Sequence, residues 1–179
     1  MTDRLYTVGV YGFSEEAFYE TLARHAVDAL VDIRQRRGVR GAQYAFANAR
    51  RLEAGLGDRH ITYLHLAELA PTADIRDLQK RADARSGVGK RARPTLTDEF
   101  VAAYRSEILT PEQVETAATA LASFLRPALL CVEAAPAACH RSLASQELAR
   151  VLHVDVDHLS PGSEFSWLLK LNVMFRIDA

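Results

Sequence analysis

The segment 131–142, CVEAAPAACHRS, contains both cysteines of the chain, a glutamate and an adjacent His-Arg pair. A thiol beside a cation and the free N–H groups that begin a helix loses its proton readily, and the thiolate is the reactive form. We therefore predict that Cys139 or His140 acts as nucleophile or proton shuttle, with Glu133 orienting it. Arg141 adds a fixed positive charge that would hold an anion.

Other interpretations of this segment stay open. Cys131 lies in the apolar run LLCVE, which favours a core position because free cysteine is often buried; we still include it among the residues that line the site. Cys139 alone can equally be a small residue at the start of a helix. Cys131, Glu133, Cys139 and His140 also offer donors that zinc or iron accepts. Adjacent Cys and His rarely both reach one ion, so we assign no metal.

The hydrophobic pattern predicts the elements that position these groups. Five apolar runs of strand length cover residues 6–13, 29–34, 61–66, 127–133 and 154–160. Segments of helical periodicity separate them, which predicts a mostly parallel sheet with helices on both faces. We expect a single α/β domain over residues 1–162. The apolar tail 163–179 is expected to pack on that domain or on a second subunit.

Polar groups occur where the predicted strands end. They are Asp32, Arg34, His65, Glu68, Cys131 and Glu133. Ligands of open α/β sheets bind at the carboxyl ends of the strands, so we expect these groups to share one site. Asp32 is either a general base or the partner of a salt bridge with Arg34. His65 and Glu68 are expected to form a hydrogen-bonded pair that contacts substrate, although a histidine among leucines can also be a satisfied core residue.

The segment 34–51 contains six arginines and no acidic residue, with aromatic residues between them. Arginine pairs with phosphates and stacks on bases, so we predict an anion-binding loop. Its predicted contacts are Arg34, Arg36, Arg37, Arg40 and Tyr44. The alternative is a solvated basic loop. A second basic run, 90–93, lies in a region whose structure the sequence does not predict. GVRG lacks the Gly-Lys-Ser/Thr ending of a P-loop, so a nucleoside triphosphatase is disfavoured.

Composition limits the remaining possibilities. The net charge is −1, so the overall charge predicts no partner. No apolar run approaches the roughly 20 residues of a membrane-spanning helix. The amino terminus does not resemble a signal peptide, and two cysteines do not indicate a disulfide framework. We therefore expect a cytoplasmic protein that does not bind membranes. No nucleotide-cofactor fingerprint is present, so the cofactor is unassigned.

The pattern Cys-x-Glu-x-x-Pro-x-x-Cys-His-Arg, formed by residues 131–141, resembles the hallmark of the domain-of-unknown-function 488 family. The segments 6-YTVGVYGFS-14, 31-VDIR-34, 63-YLHLAELA-70 and 154-VDVDHLSP-161 are similar to other parts of that family. The resemblance covers roughly residues 5–162 and implies the fold and the position of the site, but no reaction. Many members have Thr-Ile-Gly-His-Ser where this chain has TVGVY at 7–11, so no role for that His is carried over.

Three functional hypotheses follow. The first is an enzyme that acts on a phosphate-bearing substrate, either a nucleotide or a nucleic acid. The second is a nucleic-acid-binding module without catalysis that uses the loop 34–51. The third is a metal-binding protein or a thiol redox sensor. An oligomer that forms through the tail is compatible with each hypothesis.

Overall fold

The computed structural model describes residues 1–87, 89 and 93–161. Its strands are β1 (Leu5–Gly9), β2 (Ala29–Asp32), β3 (Thr62–His65), β4 (Pro127–Cys131) and β5 (Val156–Leu159). They form one sheet in the order β3-β2-β4-β1-β5, and every neighbouring pair is parallel. β4 therefore lies between β2 and β1, which brings its carboxyl end beside theirs.

Within the described part of the chain, six α-helices connect and cover the strands. They are α1 (Glu15–Arg24), α2 (Ala49–Gly57), α3 (Ala73–Ser86), α4 (Asp98–Glu107), α5 (Pro111–Leu121) and α6 (His140–Leu152). Short 3₁₀ turns occupy Ala42–Ala47, Ala67–Leu69 and Pro136–Ala138. The side chains of Ser14, Thr97 and Thr110 cap α1, α4 and α5 by accepting a hydrogen bond from a backbone N–H three residues later. This satisfies donors that a helix start leaves free.

Side-chain alternation along the strands creates two hydrophobic cores. Leu30 of β2 and Leu130 of β4 pack with residues of α1 and α2 on one face of the sheet. Their neighbours Val31 and Leu129 pack with residues of α3, α4, α5 and α6 on the other face. Each strand thus supplies both cores, as the period of two in a strand requires. The predicted α/β class, with a parallel sheet and helices on both faces, is confirmed.

Element boundaries differ from the predicted ones in ways that affect the site. The strand predicted over 127–133 ends at Cys131, a 3₁₀ turn follows at Pro136–Ala138, and α6 begins at His140. Cys139 is the N-cap residue, with extended φ and ψ of −137° and 139°, rather than part of the first helical turn. α5 ends at Leu121, and Leu125, which lies beyond that end, is 59% exposed.

Two expectations concern the carboxyl-terminal tail. Its packing on the domain and its role in an oligomer lie outside the described residues. Among the residues that are described, no helix has the length and hydropathy needed to cross a membrane.

Candidate functional site

The side chain of Arg141 holds the loop after β4 in place through hydrogen bonds to its backbone. This side chain is fully buried in the first turn of α6. Its guanidinium donates to the carbonyl oxygens of Glu133 and Ala134, and its Nε donates to Thr7 Oγ1 at 3.4 Å. Arg141 does not line the cleft described below. Arg141 was predicted to contact an anion, but its guanidinium is occupied by the two carbonyls; the side chain holds the loop and places a positive charge behind it.

Gly9, which sequence reasoning misses, allows the same loop to approach the sheet. A Cβ atom at this position would lie 2.0 Å from the carbonyl oxygen of Glu133 and 3.1 Å from an Arg141 nitrogen. Only glycine permits such a close approach of two backbone segments. The available signal was a glycine at the carboxyl end of the first predicted strand, which by itself does not identify a site.

His140 is held in a defined orientation between the sheet and α4. Its Nε2 donates to the carbonyl oxygen of Ile33 at 3.1 Å, and its Nδ1 lies 3.8 Å from Cys131 Sγ. The ring meets that of Tyr104 edge to face, with centroids 5.5 Å apart. Because Nε2 donates to a carbonyl, Nδ1 is the ring nitrogen that faces the thiols.

The two thiols differ in their acidity. The sulfur atoms of Cys131 and Cys139 and one ring nitrogen of His140 all lie within 4.8 Å of one another. Burial acts to raise the pKa of Cys139, but hydrogen bonds from Cys131 and His140, with the charges of His140 and Arg141, hold that pKa well below its usual value. Cys131 forms a hydrogen bond with Cys139 and is buried, and both effects raise the pKa of Cys131. Cys139 is therefore the more acidic thiol of the pair.

Asp32 is fully engaged by neighbouring groups. Arg34 donates to its carboxylate from the backbone N–H at 3.0 Å, from Nε at 2.8 Å and from NH2 at 2.7 Å, and Tyr63 donates its hydroxyl at 2.7 Å. Arg34 also donates to the carbonyl oxygen of Ala47 at 3.0 Å, which ties the basic loop to β2. Asp32 does not line the cleft. The structure therefore contains the salt bridge rather than a carboxylate placed as a general base.

Tyr63 is a second residue that sequence reasoning misses. Burial, followed by its hydrogen bond to Asp32, raises the pKa of its hydroxyl to about 12, although Arg37 acts in the opposite direction. The phenol therefore stays protonated at neutral pH and keeps donating to Asp32. The exposed Arg37 interacts with Tyr63 and does not line the cleft, contrary to the predicted anion contact.

The predicted His65–Glu68 pair is not formed. His65 Nε2 donates instead to the carbonyl oxygen of Arg34 at 3.0 Å. Glu68 is exposed in the short turn that follows β3, and neither side chain lines the cleft. Of the two interpretations of His65, the structure agrees with a histidine satisfied by the backbone.

A cleft of about 550 Å³ opens at the carboxyl edge of the sheet. Cys131, Glu133, Cys139 and His140 line one part of it. Its basic side chains are Arg34, Arg36, Arg40, Arg76, Lys80 and Arg93, whereas Asp83 and Glu133 are its only acidic ones among the described residues. The cleft therefore carries an excess of positive charge next to the thiolate.

Tyr44 does not reach this cleft. Its ring packs against Tyr11, with centroids 5.0 Å apart, and Tyr11 is the residue of the pair that lines the cleft. The predicted contact of Tyr44 with a ligand is replaced by support of another aromatic ring. The basic loop thus contributes Arg34, Arg36 and Arg40, but not every residue of its predicted contact set.

Arg93 connects α3 to the turn that precedes Cys139. One terminal nitrogen donates to Asp83 at 2.9 Å, and the other donates to the carbonyl oxygen of Ala138 at 2.9 Å. The side chain is 9% exposed, and its Nε has no hydrogen-bond partner among the described residues. A buried donor without a partner is costly, so this nitrogen is a candidate contact for a ligand. The sequence offered only a basic run in an unassigned region.

The cluster of Cys131, Cys139 and His140 is also the set of described side chains whose donor atoms are close enough to hold a metal ion. Two sulfur atoms and one imidazole nitrogen suit zinc or another thiophilic ion. Glu133 does not belong to this cluster, so the four-donor set considered from the sequence is not assembled.

These features define an α/β protein with a Cys/His cluster in a basic cleft at the carboxyl edge of a parallel sheet. The chain belongs to the family described as domain of unknown function DUF488, whose family model matches residues 14–148. That range includes the segments 31–34, 63–70 and 131–141, whereas the resemblance of the first and last strands lies outside it. Searches of curated proteins and of solved structures found no match.

Proposed function

We propose that this protein is an enzyme that acts on a small phosphate-bearing substrate, with Cys139 as its nucleophile. The observation that carries the proposal is the position of Cys139, a thiol with a lowered pKa, in the wall of a cleft whose charged side chains are mostly basic. A thiolate attacks an electrophilic centre, while surrounding cations hold the anionic part of the substrate.

The charges of the cleft support anion binding. Arg36 and Arg40 are exposed at its rim and form no ion pair with any described residue. Arg34 and Arg93 are buried deeper and are held by Asp32 and Asp83. Such paired arginines are fixed in position, so a ligand that meets them loses less of its binding energy to ordering of the side chains.

The size and construction of the cleft favour a nucleotide-sized ligand over a nucleic-acid strand. Its volume of about 550 Å³ falls in the range of small-molecule sites. Its cations come from the loop after β2, from α3 and from Arg93, so they surround a concavity rather than follow an open stripe. Arg37 and Tyr44, which an extended strand-binding loop would use, are engaged with other protein groups.

His140 and Glu133 would assist the nucleophile. His140 shares a proton with the thiols through Nδ1, and Tyr104 and the Ile33 carbonyl fix its ring. Glu133 is buried at the cleft wall, where its carboxylate would orient the substrate or a proton-bearing group. A free thiolate nucleophile requires a reducing compartment, so the proposal includes a location in the cytoplasm.

Alkylation kinetics test this proposal. We expect Cys139 to react with iodoacetamide at a rate that stays high at pH values where an ordinary thiol, with a pKa near 8.5, has become protonated. We also expect anionic iodoacetate to be favoured over iodoacetamide, and this preference to decline in the Arg36→Ala/Arg40→Ala double variant. Peptide mapping assigns the label, with Cys139→Ser as the control.

A second measurement addresses the ligand. Pyrophosphate and nucleoside monophosphates should slow alkylation of Cys139 by occupying the cleft. Protection by DNA or RNA alone, with a steep dependence on salt, would instead support the binding module without catalysis. Alkylation of Cys139 at the rate of a model thiol at every pH would exclude the nucleophile.

A further inference from the structure

We propose that Cys139 and Cys131 form a reversible disulfide when a hydroperoxide enters the cleft, so the site contains its own oxidation switch. This inference rests on the thiolate of the proposed function and assigns it a mode of regulation. Cys139 is the sulfur that is oxidised, Cys131 is the sulfur that resolves the oxidised product, and His140 moves the protons between them.

The arrangement of the two sulfur atoms supports this assignment. They lie within 4.8 Å of each other, and both cysteines line the cleft. A disulfide requires a separation of about 2.05 Å, so one side chain must move inward. Cys131 is fixed at the end of β4, where it pairs with Gly9. Cys139 lies between a three-residue turn and α6, outside both elements, so it is the cysteine that can shift.

The first step uses the thiolate and a hydroperoxide. Cys139 Sγ attacks the terminal oxygen of the hydroperoxide, the O–O bond breaks, and an alkoxide or hydroxide leaves. His140 gives the leaving oxygen its Nδ1 proton, which produces an alcohol or water. Sulfur has lost two electrons to oxygen, and Cys139 is now a neutral sulfenic acid. The imidazole has become neutral and still donates from Nε2 to the Ile33 carbonyl.

The second step uses the neighbouring thiol. Cys131 Sγ lies 3.8 Å from His140 Nδ1, which can now accept its proton. The resulting thiolate attacks the sulfur of the sulfenic acid, the S–S bond forms, and the S–O bond breaks. The leaving hydroxide takes the proton from His140 and departs as water. Exchange with a dithiol, which becomes a disulfide itself, returns both cysteines to the reduced state.

The consequence for the proposed function is direct. A Cys139 sulfur that is bonded to Cys131 cannot ionise to a thiolate, so the enzyme loses its nucleophile until the disulfide is reduced. The disulfide also protects Cys139 from sulfinic and sulfonic acids, which thiols do not reverse. The position of Cys131 fits its role, because its sulfur lies 3.8 Å from the Nδ1 atom of His140, which takes its proton.

Mass spectrometry of the full chain tests the inference. The reduced protein is treated with a small excess of hydrogen peroxide, quenched with acid and mapped by peptide. We expect the wild type to lose two hydrogen atoms in a peptide pair that joins residues 131 and 139, and dithiothreitol to restore the mass. Cys131→Ser should instead gain oxygen at Cys139, in a form that dimedone traps. Cys139→Ser should stay unoxidised over the same time.

Other outcomes separate the inference from the proposed function. Rapid alkylation of Cys139 together with peroxide products that contain oxygen but no disulfide would overturn the switch and leave the nucleophile in place. Two inert thiols would overturn both. Elemental analysis of the purified protein comes first, because a stoichiometric zinc or iron that blocks oxidation until it is chelated would make the cluster a metal site and refute the switch. The variant His140→Asn should form the disulfide more slowly, because it lacks both the proton donor of the first step and the base of the second; an unchanged rate would remove His140 from the mechanism.

Discussion

The substitution Gly9→Ala tests the close approach between β1 and the site loop. The added Cβ would lie 2.0 Å from the Glu133 carbonyl oxygen, so the carbonyl must move by about 1 Å to reach even the 3.0 Å limit for such contacts. Overpacking of this kind costs about 1–3 kcal/mol. The same carbonyl accepts a hydrogen bond from the buried Arg141, and loss of a charged hydrogen bond costs about 1.5–3 kcal/mol.

Together these effects lower the free energy of unfolding by about 2.5–6 kcal/mol, which corresponds to a fall of about 5–24 °C in the unfolding midpoint for a chain of this size. Circular dichroism during heating measures the midpoint, and Gly57→Ala is the matched control. Gly57 is the last residue of α2, and an added Cβ meets no atom within 4 Å. The control should be neutral or slightly stabilising. Equal midpoints for Gly9→Ala and the wild type would refute the contact.

Three further predictions address the salt bridge, the cleft and the thiols. Asp32→Asn should lower the free energy of unfolding by about 3–5 kcal/mol in urea titrations, because it leaves the buried Arg34 without its carboxylate. Asp77→Asn is the control, since the salt bridge between Asp77 and Lys80 is exposed. Equal urea midpoints for Asp32→Asn and the wild type would contradict the prediction. Arg93→Ala should weaken the protection of Cys139 by pyrophosphate about tenfold, since a hydrogen bond to a charged group contributes about 1.5 kcal/mol or more to binding. Arg59→Ala, outside the cleft, should leave the protection unchanged. An unchanged protection constant for Arg93→Ala would remove Arg93 from the ligand site. The stability of the wild type relative to Cys139→Ser should rise with pH through the lowered folded pKa and level off near the unfolded thiol pKa of about 8.5. A difference that does not vary with pH would show that Cys139 is not acidified.

The pH dependence of the wild type itself has two parts of opposite sign. The folded pKa of Cys139 is lowered, so its contribution is absent at low pH and complete above the unfolded pKa. The folded pKa of Cys131 is raised, so the unfolded chain loses that proton first and stability declines above about pH 8.5. The two thiols therefore place a maximum of stability near the pKa of an unfolded thiol, and urea titrations across this range would reveal it.

Local sequence patterns determined the elements and their order. β-branched and apolar runs predicted the five strands. The hydroxyls of Ser14, Thr97 and Thr110, which accept from free N–H groups, fix the starts of three helices from within the local sequence. Alternation of strands and helices predicted a parallel sheet, and the parallel arrangement brought the ends of the second and fourth strands together. The Cys/His/Arg motif led to the same family that the family model identifies. Each of these inferences depends on contacts between residues close in sequence, or on a general rule of topology.

Only the tertiary structure decided the direction and partners of the individual side chains. Arg141 turns toward the carbonyls of residues 133 and 134, Asp32 is enclosed by Arg34 and Tyr63, and His65 bonds to a backbone carbonyl. Gly9 and Arg93 reach the site from positions far away in the chain. A sequence pattern specifies which groups exist near a strand end, but hydrogen bonds and close packing between distant segments determine which of them face the cleft and which of them support it.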